Sequence, residues 1–234
     1  MAIILHLETA TTVCSVALAA DGKLLALKEQ NGEYSHAENL TVFIEDVLQQ
    51  ANVALTSVDA IAISKGPGSY TGLRIGVSTA KGLCYSLNKP LIAVDTLKHL
   101  ALAAAQNPKS LIPNPKSLFC PMIDARRMEV FCAVYDATGK EIKPTAAEII
   151  DEHSFSDLLQ EHTVYFFGDG AAKCKEVLSQ HKNALFLDDV VISAKEMITL
   201  AAKAFDEKKF EDVAYFEPFY LKDFVAGKKK EVKS

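Results

Sequence analysis

The chain has 234 residues, 49% of them hydrophobic and 24% charged, with a net charge of −5 and a pI of about 5.7. That is ample apolar material for one large domain or two compact ones, and it excludes wholesale disorder. An acidic chain repels phosphate backbones on average, so nucleic-acid binding by this chain alone would need a local basic patch. The one basic run, Lys228–Lys230, reads as a solvated tail or, alternatively, as a nucleic-acid or partner contact.

In chain order, residues 3–7 and 13–20 read as strands around a Thr-rich turn from Glu8 to Thr12. Asp21-Gly22 is a hairpin signal, and residues 23–29 give a third strand. Ser35 with Glu38 makes a capping box for a helix on which Leu40, Phe43, Ile44, Val47 and Leu48 fall on one face. A strand at 58–63, a glycine-rich turn, a helix from Gly72 to Leu87, a strand at 91–94 and a helix at 96–106 complete the first half. Asn107, Pro108, Pro113, Asn114 and Pro115 mark a junction. The order then starts again: strands at 117–123, 128–135 and from about Lys140, a helix at 154–161, a strand at 163–167, a helix at 171–181, a strand at 184–187 and a helix at 194–208. The twice-repeated βββαβα order predicts an α/β chain duplicated from one unit. Its predicted divisions are an N-terminal domain at 1–106, a second domain at 107–210 and a partly flexible tail at 211–234.

Five cysteines (Cys14, Cys84, Cys120, Cys132 and Cys174) form no C-x-x-C pair and no zinc-spaced Cys/His cluster. Met1–His6 shows no charged-then-apolar leader, and no apolar run reaches the ~18 residues of a membrane span. The expectation is a cytoplasmic protein with reduced, buried thiols and no membrane contact.

The densest local signal is Gly66-Pro67-Gly68-Ser69-Tyr70-Thr71-Gly72-Leu73-Arg74-Ile75-Gly76, between a strand and a helix. It lacks the Gly-Lys-Ser/Thr of a P-loop. Two readings stand: a tight turn with close helix packing, or a loop whose amides, with Gly66, Gly68, Ser69, Thr71 and Arg74, contact a phosphate. Thr9 in the first turn and Arg126 beside Arg127 after Asp124 are further phosphate candidates, against ordinary turn roles. Gly168-Asp169-Gly170, ahead of a helix, has the same two readings. Gly72, Gly76 and Ala80 fall four apart and leave a bare helical strip, open to the chain's own core or to another subunit. The chain has no H-E-x-x-H and no G-x-S-x-G elbow, and His36 and His99 lack a second imidazole at i+4.

These segments together resemble the TsaB family, also called YeaZ. The resemblance is carried by Ile4–Thr9 with Cys14–Leu18, His36, Gly66–Gly76, Asp124–Arg127, Gly168–Gly170 and Pro218–Leu221, across nearly the whole chain. It implies an actin-like/Hsp70-like ATPase fold without catalysis of its own: a scaffold and activator in tRNA threonylcarbamoyladenosine synthesis. The implied partners are a TsaD-like catalytic subunit, a TsaE-like ATPase, tRNA through the complex, and a second copy when isolated. TsaD-like enzymes hold a metal with H-x-x-x-H, where this chain has Val94-Asp95-Thr96-Leu97-Lys98-His99-Leu100, a single histidine. The first strand also ends in Glu8-Thr9 where the family has Asp-Thr. The resemblance implies no metal and no cofactor in the isolated chain, with ATP or ADP held, if at all, where subunits meet. It places the partner contact on helices 36–50 and 72–87, with Leu40, Phe43, Val47, Gly72, Leu73, Gly76, Ala80 and Leu83 as the expected interface. The alternative weighed against this is an autonomous actin-fold ATPase or kinase, or a peptidase-like enzyme.

Overall fold

The computed structural model describes residues 2–32, 35–106 and 116–222. Each half of the chain forms a five-stranded sheet with the same strand order. In the first, β1 (Ile3–Glu8), β2 (Val13–Ala20), β3 (Lys23–Asn31), β4 (Ala60–Ser64) and β5 (Leu91–Val94) lie as β3-β2-β1-β4-β5. In the second, β6 (Ser117–Asp124), β7 (Glu129–Asp136), β8 (Glu141–Ile149), β9 (Thr163–Phe167) and β10 (Ala184–Leu187) lie as β8-β7-β6-β9-β10. In each, the first strand pairs antiparallel with the second and parallel with the fourth. At the β2–β3 hairpin, Asp21 and Gly22 take φ of 47° and 74°, the left-handed pair that a two-residue turn needs.

Strand sequence sorts the two faces of the first sheet. Ile61 and Ile63, with Leu5, Leu7, Val16 and Leu18, face α1 (Ser35–Ala51) and α2 (Tyr70–Leu87). Ala62, with Ala17 and Ala60, faces the other way. Each large side chain buried in this way contributes about 1.5–3 kcal/mol. The small residues admit a layer that comes from the far half of the chain. Ala194 and Met197 of a single 3₁₀ turn and Ala201 of α6 (Ile198–Asp206) pack on Ala60, Ala62 and Ile92. In return α3 (Thr96–Ala105) lays Leu97, Leu100, Ala101 and Ala104 against Phe119, Tyr165 and Phe167 of the second sheet. Each of these two helices buries its apolar stripe on the other half's sheet. The α3 layer also takes in Ala10, Val13 and Leu73, so the halves share one apolar seam. The second sheet's outer face is covered by α4 (Ser156–Glu161) and α5 (Ala171–Leu178) over Cys120, Met122 and Phe166.

The predicted tail from 211 is, as far as Lys222, a strap laid along α2. The Glu211 amide donates to Leu91 O at 2.9 Å, and the Phe219 amide to Lys65 O at 2.7 Å. Between them Lys81 Nζ donates to Ala214 O at 3.1 Å and to Phe216 O at 3.0 Å. Val213 and Phe216 pack on the first core, Leu221 joins the seam, and Lys222 pairs with Glu129. The Ser35 side-chain cap, the junction residues Asn107 to Pro115 and the Lys228–Lys230 run lie outside the described residues. All five cysteines are free and buried, and no helix among the described residues is long and apolar enough to cross a membrane.

Candidate functional site

The glycine segment and the β1–β2 turn grip each other. The Gly66 amide donates to Thr96 Oγ1 at 3.0 Å, and the Ser69 amide donates to Ala10 O at 2.6 Å. Ser69 Oγ caps α2 by accepting from the Gly72 amide at 3.3 Å. A Cβ on Gly68 would collide with Ala10 O, one on Gly72 with Thr9 O, and one on Gly76 with Thr9 Oγ1. The loop is bare because the turn lies on it, so the donors of Gly66 and Ser69 are already engaged by protein. The other phosphate candidates do not converge either. Thr9 is buried beneath α2, Thr71 and Arg74 are exposed at its start, and Arg126 is exposed in the β6–β7 turn with φ of 70°. Arg74 instead donates to Tyr70 Oη at 3.2 Å.

Beneath the turn, Glu8 is fully buried. Its Oε1 accepts from the Ala10 amide at 2.7 Å and from Ser64 Oγ at 2.8 Å, and its Oε2 meets His99 Nε2 at 2.9 Å. His36 is buried nearby against the carbonyls of Val13 and Thr11. Burial pushes its pKa down, opposed by the charge of Glu8 and those carbonyls. One residue earlier on the same strand face as Glu8, His6 is held at a pKa of about 4 by burial. The histidines read separately in the sequence thus gather around Glu8, as helix starts 35 and 96 are brought onto one strand end.

An actin-like fold implies a nucleotide with a divalent cation between its halves, and the residues present do not fit one. The cleft, of about 200 Å³, is lined by Thr11, Thr12, Asn31, Asp169 and Asp188 with apolar neighbours, and no Lys or Arg lines it. Lys175, outside the lining, is already paired with Asp188 at 3.0 Å, so among the described residues no unengaged cation faces a polyphosphate there. Glu8 faces inward, and no group of three metal-ligating side chains forms among the described residues.

The larger cavity lies on the outer side of the first half. A groove of about 750 Å³ runs between α1 and α2, lined chiefly by Thr41, Ile44, Leu48, Val53, Thr79 and Leu83. The predicted interface residues stand differently. Leu40, Phe43, Val47, Gly72, Leu73, Gly76 and Ala80 are buried in the chain's own core, and Leu83 alone of the set reaches the groove. The periodicity located a stripe correctly, but the stripe faces the sheet. On the outward side, a Cβ on Gly82 would meet nothing within 4 Å. Thr79 and Ile44 line the groove and Gly82 lies beside it, three positions that the sequence reading did not single out as a site. The clue was available, since Gly82 lies across the helix from the Leu73-Val77-Ala80-Cys84 stripe.

The matched sheets with exchanged helices define a duplicated α/β protein of the actin-like/Hsp70-like ATPase fold. A family model described as TsaD, tRNA N6-adenosine threonylcarbamoyltransferase, matches residues 30–230. The tRNA threonylcarbamoyladenosine biosynthesis protein TsaB of Escherichia coli K12 is 32% identical over 234 residues, 97% of each chain. The solved structure of YeaZ from Pseudomonas aeruginosa superposes with a TM-score of 0.75 at 26% identity, covering 94% of this chain and 100% of that one. The tRNA N6-adenosine threonylcarbamoyltransferase of Jannaschia sp. is 47% identical over 68 residues, 29% of this chain and 19% of that one. The chain belongs to the TsaB (YeaZ) family.

Proposed function

We propose that this chain is a non-catalytic subunit of tRNA threonylcarbamoyladenosine synthesis that binds a TsaD-type catalytic subunit through the outer face of α1 and α2. The observation that carries the reading is the apolar groove between those helices, placed on the half of the molecule with the longest helices. The inward-turned Glu8 and the engaged glycine loop support the absence of catalysis in this chain alone. The likeness to TsaD-type enzymes supports a partner of the same fold, met helix pair to helix pair as in a two-fold contact. On this reading the isolated chain pairs with a second copy through the same face. The heterodimer, not this chain alone, recruits a TsaE-type ATPase, meets tRNA and holds any ATP or ADP where the chains join.

The test is Leu83→Asp, which puts a charge in the groove at a half-buried position on the rim of the first core. Co-elution with the TsaD-type subunit of the same cell is expected to be lost, while the thermal melt of the variant stays within 2–3 °C of the parent, as for a surface change of about 0.5 kcal/mol. A variant that co-elutes as well as the parent would sink the groove as the contact.

A further inference from the structure

The groove is too small to be the whole contact. Eleven residues line it, whereas a stable interface engages roughly 20–30 on each side. The contact must spread over one of its flanks, and the exposed side chains say which. Successive residues advance about 100° around a helix, so Gly82 lies between Leu83 on the groove flank and Tyr85 on the other. Tyr85 is 86% exposed, and Tyr215 of the strap is 84% exposed. The strap holds Tyr215 close to this flank: Lys81, one turn before Tyr85, donates to the carbonyls of Ala214 and Phe216 on either side of it. The backbone that carries Tyr215 is fixed from its other end too, since Asp212 Oδ1 accepts from the Ala214 amide at 2.8 Å.

We infer that Tyr85 and Tyr215 form a second contact for the TsaD-type subunit, so that the partner straddles the α2 crest at Gly82 with the groove on one side and the strap on the other. Two physical arguments carry this. Tyrosine buries a large area with little rotamer entropy, and it is over-represented among residues that dominate binding energy. Both tyrosines stand on backbone already pinned by hydrogen bonds, so little ordering is needed when a partner arrives. Between the groove and the tyrosines the crest carries Gly82 and the small exposed Ser78 and Ser86, which lets a partner helix sit close and touch both. The C-terminal strap is then part of the binding surface as well as of the fold. This inference rests on the groove reading above.

The experiment measures the dissociation constant of the full chain for the TsaD-type subunit, for the parent, Tyr85→Ala, Tyr215→Ala, the double variant and Leu83→Asp. Each tyrosine change is expected to weaken binding about tenfold and the double change about a hundredfold, with thermal melts unchanged. Leu83→Asp losing binding while the double tyrosine variant binds like the parent overturns the strap contact and leaves the groove standing. Parent-like binding by all variants overturns both. A parent that does not bind overturns the groove reading, and the strap contact with it.

Discussion

The two halves of the molecule share a strand order and differ in their outer helices. Each sheet is β-β-β-β-β in the same pattern, and each lends one helix to the other. Outside, the first half carries helices of 17 and 18 residues, the second helices of 6 and 8. The sheets need only a covering layer, and the short helices supply that for the second sheet with Leu159, Ala171, Cys174 and Leu178. Helices of five turns do more than cover: they leave a groove between them and a crest open to a neighbour. Duplication therefore set the architecture, and what distinguishes the halves is the surplus of helix in the first.

The sharpest way to break this comparison is within α2 itself, where two glycines six residues apart have opposite surroundings. Gly76→Leu drives a side chain into Thr9 and Ile63. The expected cost is about 4 kcal/mol or more, enough to lose the native fold, read as loss of a cooperative urea transition. Because Gly76 is internal, loss of partner binding in that variant reports on folding and not on the interface. A stably folded Gly76→Leu chain would overturn the claim that the bare strip faces the chain's own turn.

Next in size is the buried pair at the end of β1. Glu8→Ala leaves His99 buried without the carboxylate that its Nε2 meets, and removes the acceptor of Ala10 and Ser64. Each buried partner left without its hydrogen bond costs about 1–3 kcal/mol, and the total is to be measured from the urea midpoint. His99→Gln, which keeps a donor, is expected to cost less than Glu8→Ala.

The sequence of strands and helices along the chain and the buried face of α1 were legible, because the physical signal is local. Ile61-Ala62-Ile63 announces a strand with one roomy and one tight face, and Asp21-Gly22 announces a hairpin. The helix exchange was not legible, since an apolar stripe on residues 97–104 or 198–201 says that a helix must be covered and not by which sheet. The bare strip of α2 was legible in its spacing and left open in its direction: glycine has no hydropathy of its own, and the neighbours Leu73 and Val77 fix which way it points. The meeting of Glu8 with His99 joins residues 91 apart and leaves no trace in periodicity. The strap was hidden for a different reason. Residues 211–222 have no helix or strand period, and backbone bonds to Leu91 and Lys65 hold them.

The first half should also carry a pH dependence that comes from β1. His6 has a folded-state pKa of about 4, against 6.5 for an unperturbed histidine, because burial disfavours its charged form. Between those values the unfolded chain binds a proton that the folded chain does not, so stability rises with pH across that window. The contribution is full above about pH 6.5, falls as the pH drops, and is lost by about pH 4. A shift of this size amounts to roughly 3 kcal/mol. His36, shifted down by the same cause, adds in the same direction. Urea unfolding at pH 7.5, 6, 5 and 4 measures the slope, and His6→Asn should flatten it. A parent whose midpoint is level from pH 7.5 to 4.5 would mean that His6 is not neutral and enclosed.

The smallest change in stability carries the largest lesson about the outer face. Gly82 is in the middle of α2 with open space around its Cα, so Gly82→Ala removes the glycine penalty and should stabilise the free chain by about 1 kcal/mol. Gly82→Leu should be stabilising by a similar or slightly smaller amount. The two variants should part company in binding. An alanine on the crest keeps the close approach nearly intact, whereas a leucine props a partner helix away from both groove and strap and should weaken the TsaD-type complex more than tenfold. Stability is read by thermal melting of the free chain and affinity by titration calorimetry with the partner. A Gly82→Leu chain that is stabilised and binds like the parent would place the contact elsewhere on the first half. A Gly82→Leu chain that is destabilised would mean that the crest is not open. The contrast with Gly76 is what gives the pair its force: one helix, one residue type and one substitution, with the sign of the stability change set by which side of α2 the residue faces.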